Sequence, residues 1–178
     1  MARKSFPLAK VYGLLEPGPV VMVSTALKGQ ANIMTMSWHT MIDFEPPIVG
    51  CVISNRSLTF NLLLTTRECV INIPTVELAD KVVGCGNISG RKVDKFKKFR
   101  LTRARAARVR APLIAECYAH LECVVVDTRM AAEYNLFILK VVKAWINPAI
   151  KHPRTIHHLG MGKFMVAGRT IQLPSKMK

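Results

Sequence analysis

Strand-length apolar runs follow one another along this chain without the alternating strand–helix rhythm of a parallel sheet, and that spacing constrains the fold more than any other feature. The first run, Pro19 to Leu27 (PVVMVSTAL), is rich in β-branched residues and ends at the turn pair Lys28-Gly29. Ala31 to Ile42 (ANIMTMSWHTMI) reads as the next strand, with Asn32, Met34, Met36 and Trp38 on one face and Ile33, Thr35, Ser37 and His39 on the other. Pro46-Pro47 opens IVGCVIS, and ECVINIP is stopped by Pro74. Two long candidates, AECYAHLECVVVDT and YNLFILKVVKAWIN, close the series. Only two helices are expected. One runs from Ser57 to about Thr66, with Phe60, Leu63 and Leu64 on its core side; the other is TVELADKVVGCG, with Thr75 as cap and glycines at its end. The pattern predicts a mainly β, antiparallel barrel with peripheral helices, formed by one domain spanning residues 1–178.

With 178 residues, half of them hydrophobic, the chain can bury a substantial core. No apolar run reaches the roughly 18 residues of a spanning helix, because Lys140 and Lys143 interrupt the most hydrophobic segment. Pro7, Lys10 and Gly13 break any apolar signal core near the N-terminus, so a cytoplasmic location is expected. Five cysteines without a C-x-x-C pair predict buried free thiols, with Cys85 near a loop as the one candidate for reactivity. His157-His158 face opposite ways on a strand and have no carboxylate cluster beside them, so no metal site is expected.

The formal net charge is +15, and ten of the 26 basic residues lie between Arg91 and Arg110 beside a single acid, Asp94. Such a block favours polyanions, whether nucleic acid, membrane surface or phosphorylated cofactor, without choosing among them. A second anion-seeking feature is the stretch SNRSLTF, where Ser57 is placed to cap a helix. The unpaired amides of a helix start, the hydroxyls of Ser54, Ser57 and Thr59, and the Arg56 guanidinium together suit a phosphate. A capped helix with a solvated arginine explains the same residues.

Several of these stretches occur in an order that resembles the flavin reductase-like, FMN-binding split-barrel family: PGPVVMVST, KGQAN, TMSW, FEPPIVG, SNRSLTFN, ECVINIP, SGRKVDKF, APLIAE and LEC. The resemblance implies a six-stranded antiparallel Greek-key split barrel, a homodimer, and one FMN per subunit near the dimer interface. It implies that Ser54, Arg56, Ser57 and Thr59 hold the ribityl-phosphate end and that Arg91, Lys92 and Lys95 close over the phosphate; Asp94, an acid that would repel a phosphate, reads as structural, pairing with a basic neighbour and aiming that loop. Asn32 would hydrogen-bond the cofactor, with Met34, Thr35, Met36, Ser37 and Trp38 along the isoalloxazine. Phe164, in LGMGKFMVAG, would be the aromatic residue that in this family approaches the flavin, often from the neighbouring subunit. Where the family commonly carries a histidine, this chain has Tyr134, which can donate a hydrogen bond or stack but is no proton source near neutral pH.

The expected activity is hydride or electron transfer from NAD(P)H through flavin to free flavin, a ferric complex or a redox protein. No catalytic side chain is required, since the cofactor carries the chemistry. An electron carrier with little nucleotide oxidase activity fits the same residues, and the arginines from Arg100 to Arg110 would suit an acidic redox partner. A basic β-barrel that binds nucleic acid is the alternative class. Against it, the basic block offers only Phe96 and Phe99 for stacking.

Overall fold

The structure, a computed structural model, describes residues 18–174. It is built on a seven-stranded antiparallel sheet comprising β1 (Val21–Leu27), β2 (Gln30–Met36), β3 (His39–Phe44), β4 (Pro47–Val52), β5 (Glu68–Ile73), β8 (Ala119–Asp127) and β9 (Leu136–Ile146). Their order is β2-β1-β5-β8-β9-β4-β3. The intervening β6 (Arg103–Ala104) and β7 (Leu113–Ile114) form a small ribbon, and β10 (Ile156–Gly160) pairs with β11 (Lys163–Val166) as a hairpin.

The edge strands explain how this sheet becomes a barrel. β2 and β3 lie at opposite edges, yet only Ser37 and Trp38 separate Met36 from His39. Three peptide units span at most about 11 Å, so the sheet curls until its edges nearly meet. They meet without pairing, which leaves the barrel split there. His39 Nε2 donates to the Pro19 carbonyl at 2.8 Å across the seam, and Val52 N donates to Trp38 O at 3.0 Å. The single strand expected over residues 31–42 is therefore two strands, and the sheet has one member more than the six expected, the edge strand β3. Lys28 and Gly29 both take positive φ (49° and 79°), the conformation of a tight β-hairpin turn whose twist suits the β1–β2 pair.

Alternation along β1 divides the core. Val21 and Val23 point into the barrel with Met36, Cys51, Ile53, Leu63, Ile71, Phe137 and Leu139. Val20 and Met22 point outward, against Ile33 and the helices that cover that wall. β1 is thus buried on both faces from Val21 to Thr25, and its two polar residues, Ser24 and Thr25, are buried with the apolar ones.

Among the described residues four α-helices accompany the strands: α1 (Leu58–Thr66), α2 (Ala79–Asn87), α3 (Lys95–Lys98) and α4 (Ala131–Tyr134). α1 begins where its sequence predicts, since Ser57 Oγ accepts from Phe60 N at 3.1 Å. Its buried face carries Phe60, Leu62 and Leu63, whereas Leu64 is 44% exposed. α2 follows a 3-10 turn (Val76–Leu78) and keeps Gly84 and Gly86 inside the helix. All five cysteines are free and buried. Burial pushes the Cys85 thiol up to about 11, against the pull of Lys95, which removes the thiolate that reactivity there would need. Among the described residues, no helix is long and apolar enough to cross a membrane, and no group of His, Cys, Asp or Glu is placed to hold a metal ion.

Candidate functional site

The N-terminus of α1 and the turn at residues 89–92 lie side by side, joined by a hydrogen bond from Arg91 Nη1 to the Arg56 carbonyl at 3.1 Å. Ser54, Arg56, Arg91 and Lys92 are exposed here and Ser57 is half-buried, with no acid in the first turn of α1. Local turns hold the loop open. Ser57 N donates to Ser54 O at 2.9 Å, Arg56 N to Ser54 Oγ at 3.3 Å, and Asn55 N to Asn135 Oδ1 at 3.0 Å from the far side. Two exposed arginines, an exposed lysine, two serine hydroxyls and the amides of a helix start are thus gathered on neighbouring segments, a donor set that fits a phosphate monoester.

Three of the expected ligands are not part of that surface. Lys95 is only 5% exposed, and its Nζ donates to the carbonyls of Ile33 and Cys85, each at 2.7 Å. It pins α3 to an edge-strand carbonyl and to the last turn of α2, both rich in carbonyls without ladder or helix partners. Burial also lowers its pKa. Asn32 and Thr59 are 5% and 1% exposed, and they bond to each other, Asn32 Nδ2 donating to Thr59 Oγ1 at 2.9 Å. No cleft separates them. Gly90 covers this pair so closely that a Cβ there would lie 2.0 Å from Asn32 Oδ1. Asn32 and Thr59 thus lock β2, α1 and the 89–92 turn together, each facing the other rather than the exposed anion surface. Asn32 Oδ1 itself is buried without a hydrogen-bond partner. Asp94 behaves as the sequence predicts. It caps α3 by accepting from Lys97 N at 3.2 Å and pairs with Arg103 at 2.8 Å. Burial raises its pKa, but the Lys97 amide and Arg103 outweigh that and hold it below the usual carboxylate value.

The far end of β2 borders a second feature. A groove of about 300 Å³ runs between Thr35, Met36 and Ser37, the α2 residues Val83, Gly86 and Asn87, and His158, Gly162 and Phe164 of the β10–β11 hairpin. Thr35 Oγ1 donates to Val82 O at 2.6 Å, fixing strand to helix, while the His158 and Phe164 rings lie 5.2 Å apart on the opposite wall. Phe164 thus reaches the groove from its own chain. Thr35 lies about 10 Å along the extended strand, at about 3.3 Å per residue, from Asn32, which packs beneath Gly90 of the 89–92 turn. The half-buried Met34 and buried Met36 pack into the barrel core, whereas Trp38 is 54% exposed at the seam. Tyr134 ends α4 and is 55% exposed, bordering the Asn135–Asn55 contact rather than the groove.

Sequence reasoning missed Gly86, Asn87 and His158. The glycines of VVGCGN read as a helix end, but the constraint falls on Gly84, where a Cβ would lie 2.4 Å from the Phe99 ring, whereas one on Gly86 would meet Thr35 at an ordinary 3.4 Å.

Residues 14–161 match the family model described as flavin reductase like domain, and the chain belongs to that family. An uncharacterized protein from Archaeoglobus fulgidus is 33% identical over 67% of this chain and 68% of its own, and the uncharacterized YddH of Escherichia coli is 29% identical over 89% and 91%. Among solved structures, the FMN-binding domain of a flavin reductases-like enzyme from Shewanella baltica superposes with a TM-score of 0.83 at 26% identity, over 96% of this chain and 97% of that one. Flavoredoxin of Desulfovibrio vulgaris shares the fold, with a TM-score of 0.86 at 18% identity over 99% and 98%.

Proposed function

We propose that this protein holds FMN, with the phosphate at the N-terminus of α1 and the ring system in the groove between β2, α2 and the β10–β11 hairpin, and transfers electrons from NAD(P)H to free flavin, a ferric complex or a redox protein. The observation that carries this reading is the Arg91–Arg56 contact beside an acid-free helix start. Bound flavin supplies hydride acceptance and electron storage. The chain's own residues bind and orient. Arg56, Arg91 and Lys92 neutralise the dianion, Ser54 and Ser57 offer hydroxyls, and the half-buried strand end at Thr35–Ser37 lays a polar backbone edge along the ring. Exposed apolar residues on β3 and the distal half of β9, including Met41, Ile42, Phe44, Trp145 and Ile146, support a homodimer in which a second copy covers them.

Anaerobic addition of NADH or NADPH to the protein loaded with FMN tests the reading. Bleaching of the visible flavin band is expected. Bleaching by dithionite alone would reduce the assignment to an electron carrier fed by another protein, and a protein that stays colourless after incubation with FMN would overturn it.

A further inference from the structure

Glu122 is fully buried, yet it faces none of the site described above. Its carboxylate accepts from the backbone amides of Ala107 (3.0 Å), Arg108 and Val109 (3.2 Å), and from Trp145 Nε1 at 2.7 Å. Burial raises its pKa, but these four donors outweigh it and hold the group below the usual carboxylate value. A buried carboxylate thus ties three successive amides of one loop to the Trp145 indole of β9. Apolar packing fixes the same loop from below, because Val109, Ala111 and Leu113 are buried against Val70, with Ala104 and Ala106 alongside. The arginines between them, Arg103, Arg105, Arg108 and Arg110, are left facing solvent. Arg103 is paired with Asp94, and Arg110 with Glu68 at 2.7 Å. Arg105 and Arg108 form no ion pair among the described residues. Two open grooves of about 420 and 440 Å³ meet at Arg110 and Pro112, and Lys28 adds a further charge to the first.

We propose that this loop is a docking surface for a protein partner with a carboxylate-rich face. Charge complementarity selects an anion, and the rigid backbone presents the guanidinium groups without the ordering cost of a flexible basic tail. The residues between the arginines choose among anions. They are alanines and a buried valine, and the one ring under a loop guanidinium, Phe96, is 3% exposed with Arg103 stacked over it. No residue of the loop itself offers an exposed ring to bases or an apolar wedge to a bilayer, and the exposed ring beside it, Trp145, already carries the Lys143 ammonium 4.5 Å from its ring centre.

The test uses the full chain and a fluorescein-labelled oligoglutamate peptide, followed by anisotropy at low ionic strength, with a mixed-sequence single-stranded oligonucleotide of equal charge as competitor. Arg105→Ala/Arg108→Ala is expected to weaken peptide binding about fivefold. Lys151→Ala/Lys163→Ala, which removes the same charge elsewhere, is expected to leave it unchanged. Glu122→Gln raises the net charge but loosens the loop, so weaker binding supports preorganised docking and unchanged or tighter binding overturns it. Should that variant fail to fold by circular dichroism, the two double variants decide. Equal losses in both pairs, no loss in either, or an oligonucleotide bound tenfold tighter than the peptide would each overturn the proposal. FMN absorbance is expected to be the same in the arginine pair as in the parent, so a failure of the flavin reading would show separately.

Discussion

Replacing Lys95 by Met separates a structural lysine from a phosphate ligand. Met keeps most of the stem volume and removes the ammonium, leaving the carbonyls of Ile33 and Cys85 without their shared donor. Hydrogen bonds to a charged group contribute roughly 1.5–3 kcal/mol each, and relief of the buried ammonium's desolvation returns part of that. A net loss of about 2–3 kcal/mol is expected. For a chain of this length each kcal/mol moves the midpoint by roughly 2–4 °C, so Tm is expected to fall by about 4–12 °C. Thermal unfolding by circular dichroism measures this, and flavin fluorescence quenching at a temperature where the variant is folded measures FMN affinity, expected within about threefold of the parent. An unchanged Tm with a tenfold loss of FMN affinity would refute the reasoning and return Lys95 to the phosphate.

Gly90→Ala drives a methyl group into Asn32 Oδ1, so it is expected to destabilise the 89–92 turn by about 1–3 kcal/mol and to weaken FMN binding; denaturant unfolding and flavin titration read the two effects. Glu122 has a depressed pKa in the folded state, so its contribution is full above the ordinary glutamate value of about 4.3 and is lost as pH falls through the folded value. Acid titration of Trp145 fluorescence is expected to show the arginine loop released in that window, and Glu122→Gln is expected to abolish the transition. Phe44, 82% exposed on β3, and Ile146, 61% exposed on β9, are expected to yield monomers when both are changed to Asp, as read by light scattering after size exclusion.

The elements most legible in the sequence were those fixed by local chemistry. Ser57 capped its helix, Lys28-Gly29 made its hairpin turn, Asp94 found a basic partner, and the β-branched run before that turn formed strand β1. What local chemistry could not show was distance. Met36 and His39 are three residues apart yet belong to opposite sheet edges, and that break lies inside a stretch with uninterrupted strand propensity. Lys95 sits in a motif full of surface cations, and only the packing of α3 on β2 turns its ammonium inward. Asn32 and Thr59 bond across 27 positions of sequence, so their mutual satisfaction was invisible before the fold was known. The grip of Glu122 on the arginine loop was hidden likewise, since nothing in ECVVV marks a glutamate as buried.

The central claim is that the start of α1 and the 89–92 turn together hold a phosphate. Comparing FMN with riboflavin, which lacks only that group, measures it directly. FMN is expected to bind at least about 100-fold tighter than riboflavin, from two or more charge-assisted hydrogen bonds, and Arg56→Ala/Arg91→Ala is expected to erase most of that ratio while leaving riboflavin affinity unchanged. Equal affinities for the two flavins, or a ratio untouched by the paired substitution, would contradict the account.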